Sequence, residues 1–308
     1  MNITINNKSI ALFLTTVITC AIAISSSVQA QNNPKISNPK FIQSEEGGNF
    51  ELPGKGKPFI PNDVEQSIKP NESTSRGIPD GVDDRILMTS NKYPWSTIGR
   101  VQGTTTDTKS YHCTGTLIYD NLVLTNSHCV IDAETGVLSR DIKFLPNFIN
   151  GRVDNPRDIA SVEKVVYGTD FKNGNQDNAK DWAILVLDKP LGRKYGYLGW
   201  KSIPSNILVR NQNAFFFVGY SGDFPKFNPG MIAGFEKGCS ITGEEEGLLL
   251  HDCDTAGGSS GGPIIATIGS QYYIVGVNNA EIKNPRTGQD IINTAVKIST
   301  IEEALADR

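Results

Sequence analysis

The chain has 308 residues, of which 38% are hydrophobic and 20% charged, enough apolar side chain for one large globular domain or two smaller ones. Its net charge of -4 excludes a strong electrostatic pull toward nucleic acid or acidic lipid. The 30 glycines and 16 prolines point to many turns and short strands rather than long helices.

Residues 1–30 have the layout of a signal peptide. A polar start, "MNITINNK", is followed by the apolar run "IALFLTTVITCAIAI" and by "SSSVQA", where Val28 and Ala30 are the small residues a signal peptidase reads. The run is short for a membrane span, so no stable membrane association is expected, and the mature protein is expected to be exported, periplasmic or extracellular. Residues 31–77 are polar and broken by Pro and Gly, with no apolar period; they read as a pro-segment or a flexible tail without a core of its own.

The body is expected at 78–308. From about residue 93, short stretches rich in β-branched and aromatic residues alternate with turn residues: "STIGRVQ", "CTGTLIY", "NLVLTNS", "VEKVVYG", "WAILVLD", "AFFFVGY", "PIIATI", "YYIVGVN" and "INTAVKI" among them. This is an all-β rhythm of sandwich or barrel type. The final stretch "STIEEALADR" predicts one helix: Ser299 and Glu302 have capping-box spacing, and Ile301, Ala304 and Leu305 share a face.

Five cysteines become four once Cys20 leaves with the signal: Cys113, Cys129, Cys239 and Cys253. Four thiols allow three pairings, and proximity favours Cys113–Cys129 with Cys239–Cys253. Zinc is the rival, because His112, His128 and His251 stand next to or near these thiols. Export and the lack of a two-residue spacer within any pair argue against it, so neither metal nor cofactor is expected.

The stretch "DTAGGSSGGPII", 254–265, sets two serines between paired glycines. A nucleophilic serine needs a base, and only three histidines exist to supply one. "GSSGG" matches the nucleophile elbow of α/β-hydrolases, but in that fold the histidine follows the serine, and none follows Ser260. The order His, Asp, Ser survives. "NLVLTNSHCVI" puts His128 at the end of an apolar strand, and "DNAKDWAILVL" puts Asp181 ahead of a buried one, with Asp170 and Asp177 as competitors.

These motifs resemble those of chymotrypsin-like serine peptidases. "LTNSHC" is similar to the family's histidine motif, "DWAILVL" to its aspartate motif and "SGGP" to its serine motif, and the resemblance runs from about residue 86 to the end. It implies two six-stranded antiparallel β-barrels, about 86–195 and 196–308, with the site between them. It also implies that Ser260 attacks the scissile carbonyl, that His128 moves the proton, that Asp181 orients the histidine, and that the amides of Gly258 and Ser260 form the oxyanion hole. Cys113–Cys129 would be the bridge that clamps the histidine loop.

Two departures concern activation and specificity. The digestive members carry an aspartate just before the nucleophile that receives the new N-terminus; here that residue is Ser259. In this respect, and in "IPDGVDDRIL" and "FVGYSGD", the chain resembles the bacterial glutamyl-endopeptidase-like members, and a maturation cut after Arg76, giving a start at Gly77, is expected. Those members read glutamate with a histidine where Asn278 stands here. Asp254, six residues before Ser260, has the offset of the trypsin-like pocket carboxylate, with Thr255 beside it. The expectation is therefore a monomeric secreted serine endopeptidase acting on polypeptides, with cleavage after Arg or Lys; a glutamyl or broad specificity, and a peptide-binding module without turnover, are the alternatives.

Overall fold

In the computed structural model the described residues are 38–44, 53, 56–66, 83–105, 108–172, 178–284, 286–287 and 290–306. The expected signal peptide and the Arg76–Gly77 cut lie outside them. Sixteen strands and three short α-helices are present among the described residues.

The first half is a closed barrel. β3 (Ile98–Thr104), β4 (Ser110–Tyr119), β5 (Leu122–Thr125), β6 (Arg140–Pro146), β7 (Ala160–Tyr167) and β8 (Ala183–Leu187) pair antiparallel in the order β7-β6-β3-β4-β5-β8, and β7 pairs β8 to complete the ring. Period-2 side chains from these strands fill the interior, with Val101, Leu117, Val123, Phe144, Val162 and Leu185 all fully buried.

The second half supplies the other sheet of the expected fold. It is a nine-stranded sheet in which β12 (Ile241–Glu245), β13 (Leu248–His251), β16 (Asp290–Lys297), β15 (Gln271–Lys283), β14 (Pro263–Ile268), β10 (Phe215–Gly219) and β11 (Gly234–Cys239) follow in order. β9 (Gly199–Trp200) adds to β15 off this path, and β2 (Ile86–Leu87) adds to β11. So β2, which the sequence assigns to the first barrel, belongs to the second sheet. An arm reaches across because Met88 is apolar and buried, while Arg85 is gripped by Asp83 and Asp223 at 2.8 Å each.

The two halves share one hydrophobic core. Trp95, just ahead of β3, lies edge-on to Phe235 with ring centroids 4.7 Å apart, and Phe216 and Tyr272 of the second sheet complete the cluster. Aromatic pairs of this kind add about 0.5–1.5 kcal/mol beyond their buried area, which helps to fix the seam in which the site lies. The C-terminal helix α3 (Ile298–Ala306) is present as expected and buries Ile301. It begins at Ile298, so Ser299 lies inside the first turn and is not the cap; Glu302 accepts a hydrogen bond from Trp200 Nε1 at 3.1 Å instead.

Parts of the 31–77 segment are docked on the body rather than trailing from it as a plain tail. β1 (Lys40–Gln43) runs parallel to β7, with Phe41 edge-on to Tyr167. Phe59 exchanges two backbone hydrogen bonds of 3.0 Å with Tyr197, and Tyr93 N–H donates to the Glu65 carbonyl. The described residues of this segment rest on the surface of the body.

Cys113–Cys129 and Cys239–Cys253 are both bridged, as proximity favours. With the thiols so used, the cysteines offer no zinc site. Replacing Cys113 and Cys129 together by Ala is expected to lower the unfolding free energy by about 2–4 kcal/mol, read by denaturant titration, because the unfolded chain regains the entropy of the closed loop. A pair of alanines as stable as the parent would contradict this.

His251 on β13 is fully buried, and its Nε2 faces the carbonyl of Thr294 at 3.3 Å, so that nitrogen carries the hydrogen. Burial pushes its pKa down to about 4, against the pull of the Thr294 and Asn278 oxygens. The unfolded chain binds this proton near pH 6.5, so stability falls as pH drops from there toward 4, by about 3 kcal/mol in all. His251→Gln should flatten that part of the stability-versus-pH curve; an unchanged curve would show that the group does not bear the load.

Candidate active site

Each motif sits where a regular element ends. His128 lies in a one-turn 3-10 helix, Ser127–Cys129, that follows β5 directly. Asp181 lies two residues before β8, the neighbour of β5, so adjacent strands of the barrel deliver both side chains to one edge. Ser260 lies in the turn that leads into β14 of the other sheet.

The carboxylate of Asp181 holds its histidine twice. Oδ1 accepts the His128 backbone N–H at 2.9 Å and Oδ2 accepts Nδ1–H at 2.6 Å. A carboxylate can only accept here, so the hydrogen is on Nδ1 and the lone pair of Nε2 is left to act as a base. Asp181 is 2% exposed. Its backbone carbonyl takes the amide of Asn126 at 2.6 Å, and Ser127 Oγ donates to the Trp182 carbonyl at 2.7 Å, so the two loops are laced together. Burial pulls the His128 pKa down, but the charge and hydrogen bond of Asp181 outweigh it, and the net shift is upward. Asp170 is instead paired with Lys172 at 3.0 Å, and Asp177 lies outside the described residues.

The two serines divide sharply. Ser259 is 1% exposed, and its Oγ donates to the Ala256 carbonyl at 2.6 Å and accepts Asn278 Nδ2–H at 3.3 Å. Ser260 is half-buried, and its Oγ makes one long hydrogen bond, 3.4 Å, to the Asn279 carbonyl. Its own carbonyl lies 3.7 Å from Cys129 Sγ, the residue after His128, which brings the serine and histidine motifs together across the seam.

The backbone of this turn is held at every carbonyl from 257 to 260. Gly257 O accepts Gly222 N–H at 2.6 Å, Ser259 O accepts Gly262 N–H at 2.9 Å, and Ser260 O accepts Thr114 N–H at 2.8 Å. Gly258 O accepts the hydroxyl of Thr114 at 3.1 Å. In a trans peptide the N–H points opposite to the carbonyl, so anchoring Gly257 O and Ser259 O turns the amides of Gly258 and Ser260 the other way. Neither amide donates to another group among the described residues. Gly258 has φ of +97°, and a Cβ there would stand 2.5 Å from His112 Nε2, so both conformation and space require glycine. His112 is thus not a base but a wall beneath the turn, with Nε2–H on the Tyr220 carbonyl at 2.9 Å.

A cavity of about 280 Å³ opens beside Ser260. Thr255, Asn278 and Asn279 line it, with Glu281 and Lys283 among its other walls. Asp254 does not line it. Its Oδ2 accepts the backbone N–H of Asp84, in the arm that carries β2, at 2.8 Å, and its N–H donates to Glu236 Oε2 at 2.5 Å. Glu236 is 1% exposed; burial pushes its carboxyl up to about 8, with Asp254, Asp252 and Asp84 adding to the rise, so it is neutral at pH 7. Asp254 thus holds the arm through Oδ2 and is not among the residues that line this cavity. Asn278 Oδ1 faces His251 Nε2–H at 3.1 Å, which aims its Nδ2 at Ser259.

Asn279, Gly222 and Thr114 escape sequence reasoning. Asn279 differs from Asn278 only by strand alternation and a bulge, Gly222 acts through its backbone, and Thr114 is one hydroxyl on a half-apolar strand.

Comparison with known proteins agrees with this geometry. The family described as trypsin-like peptidase domain matches residues 113–277, which include Thr114, His128, Asp181, Gly258, Ser259 and Ser260. Serine protease 23 of Bos taurus is 31% identical over 186 residues, 55% of this chain and 45% of that protein. Glutamyl endopeptidase of Bacillus licheniformis is 26% identical over 187 residues, 60% of this chain and 53% of that protein. The chain thus spans about half the length of these relatives. Among solved structures, a Glu endopeptidase in complex with MPD aligns with a TM-score of 0.58 and 24% identity, covering 73% of this chain and 98% of that one, which supports the fold. A closed antiparallel barrel joined to a second sheet, with the histidine and serine motifs meeting at the seam within the matched region, leads to one assignment: the chain belongs to the trypsin-like peptidase domain family.

Proposed function

We propose that the protein is an exported serine endopeptidase in which Ser260 is the nucleophile, His128 the general base and acid, and Asp181 the group that fixes the histidine tautomer. The observation that carries this reading is the double hold of Asp181 on His128, which leaves Nε2 basic next to the loop of Ser260. On substrate approach the Ser260 hydroxyl swings from the Asn279 carbonyl toward Nε2, gives up its proton there and attacks the scissile carbonyl. The oxyanion that forms takes hydrogen bonds from the amides of Gly258 and Ser260. His128 then passes the proton to the leaving amine, and water repeats the sequence on the acyl-enzyme. The two disulfides and the signal-like N-terminus support export.

Side-chain preference follows from the pocket. With Asp254 tied to the arm, a substrate guanidinium entering the cavity would lose its water and meet amides and hydroxyls instead of a buried carboxylate. Glu281 lines the cavity too, but it is paired with Lys283 at 3.2 Å. We therefore propose an uncharged polar residue such as Gln before the scissile bond, in place of Arg or Lys.

Ser260→Ala is expected to cut kcat by about a millionfold with the fold intact, whereas Ser259→Ala keeps turnover. The acid limb of kcat/KM should lie above the 6.5 of an ordinary histidine, since the base works only when neutral and Asp181 raises its pKa. Near-normal turnover in Ser260→Ala would refute the assignment. For the pocket, Asp254→Asn is expected to lower stability while leaving the ranking of Gln, Glu, Arg and Lys substrates unchanged. A selective collapse of Arg and Lys cleavage would return Asp254 to the pocket.

A further inference from the structure

Thr114 stands on β4 of the first barrel, fully buried, and reaches across the seam to the nucleophile turn of the other sheet. Its backbone N–H donates to Ser260 O at 2.8 Å, and its Oγ1 donates to Gly258 O at 3.1 Å. The same Oγ1 accepts the N–H of Tyr220 at 2.9 Å, so its one hydrogen is committed to Gly258. Its carbonyl accepts the hydroxyl of Thr125, the last residue of β5, at 2.8 Å. One residue therefore ties together the strand leading to His128, the strand end at Tyr220, and both residues whose amides point at the expected oxyanion.

From this we infer that the hydroxyl of Thr114 is a positioning group for the oxyanion hole: by holding Gly258 O it fixes the peptide between the Gly258 and Ser260 amides, and with it the angle at which the two donors meet the reacting carbonyl. The glycine makes the need specific. Gly258 is left-handed and free of a side chain, so it costs little to rotate, and its carbonyl belongs to the peptide that lies between the two open amides, so a turn of that peptide changes their mutual aim. Gly222 holds the peptide before it at Gly257 O; the peptide after it is held at its N–H end, where Ser259 donates to Ala256 O at 2.9 Å, and at its carbonyl by the Thr114 hydroxyl alone among the described residues. An oxyanion donor contributes only in the transition state, so losing its alignment lowers kcat and leaves KM in place.

The inference rests on the serine-peptidase reading, and the test separates the two. Thr114→Val removes the hydroxyl at constant shape, Thr114→Ala leaves room for a water, and Thr114→Ser keeps the hydroxyl. The expected result is a fall in kcat of about 10–100-fold in Val and Ala, with KM within about threefold, and wild-type-like kcat in Ser. A peptide aldehyde, which forms a tetrahedral adduct, should weaken in step with kcat, while the acid limb set by His128 and Asp181 stays put. If Val does not fold, Ala and Ser decide the matter by the same readouts. Unchanged kcat in folded Val or Ala, or a Ser variant as slow as Ala, overturns the role of Thr114 while leaving the dependence on Ser260 untouched; activity that survives Ser260→Ala overturns the parent reading instead.

Discussion

The site depends on a constraint of the backbone more than of any side chain: a turn, 257–260, in which every carbonyl is occupied while the amides of Gly258 and Ser260 are not. Buried peptide groups nearly always find partners. Leaving two N–H groups open at one point therefore requires that everything around them be fixed by other bonds. The glycines supply the conformations, Gly258 and Gly261 both having positive φ, and Ser259 spends its hydroxyl on closing the turn. What remains is a pair of amides turned away from the anchored carbonyls, which under the proposed function are the donors set in place before any substrate arrives, the condition under which hydrogen bonds favour a transition state over a ground state.

The anchors of that turn come from both halves. Thr114 is on the first barrel, Gly222 follows the strand β10 of the second sheet, and Cys129 next to His128 abuts the Ser260 carbonyl. The site thus exists only while the seam is closed, and the aromatic cluster of Trp95, Phe216, Phe235 and Tyr272 keeps it so. The arm at 83–88 belongs to the same scheme. It crosses to the second sheet, is pinned by Asp254 and borders the segment that leads to the nucleophile.

Much of this was legible in the chain. The strand rhythm, the terminal helix and the cysteine pairing are local properties, carried by β-branched runs and short loops. His128 and Asp181 were legible because each sits at the end of an apolar strand whose burial is visible in the residues themselves. Other features were not. Asp254 illustrates why: spacing along a chain does not say which way a side chain turns, and the backbone N–H of Asp84, 170 positions away, decides it. The docking of 38–44 and 56–66 was hidden for the same reason, since their apolar residues follow no period and find partners on a surface the body provides. Within the second sheet, β2 and β9 are two-residue strands that no pattern announces.

The central claim is that Ser260, and not its buried neighbour, carries a nucleophile made reactive by His128. The most direct measurement is to treat the full mature protein with a fluorophosphonate, digest it and map the adduct by mass. The account predicts one phosphonate per chain, on Ser260, absent when His128 is replaced by Ala. An adduct on Ser259, or equal labelling without His128, would contradict it.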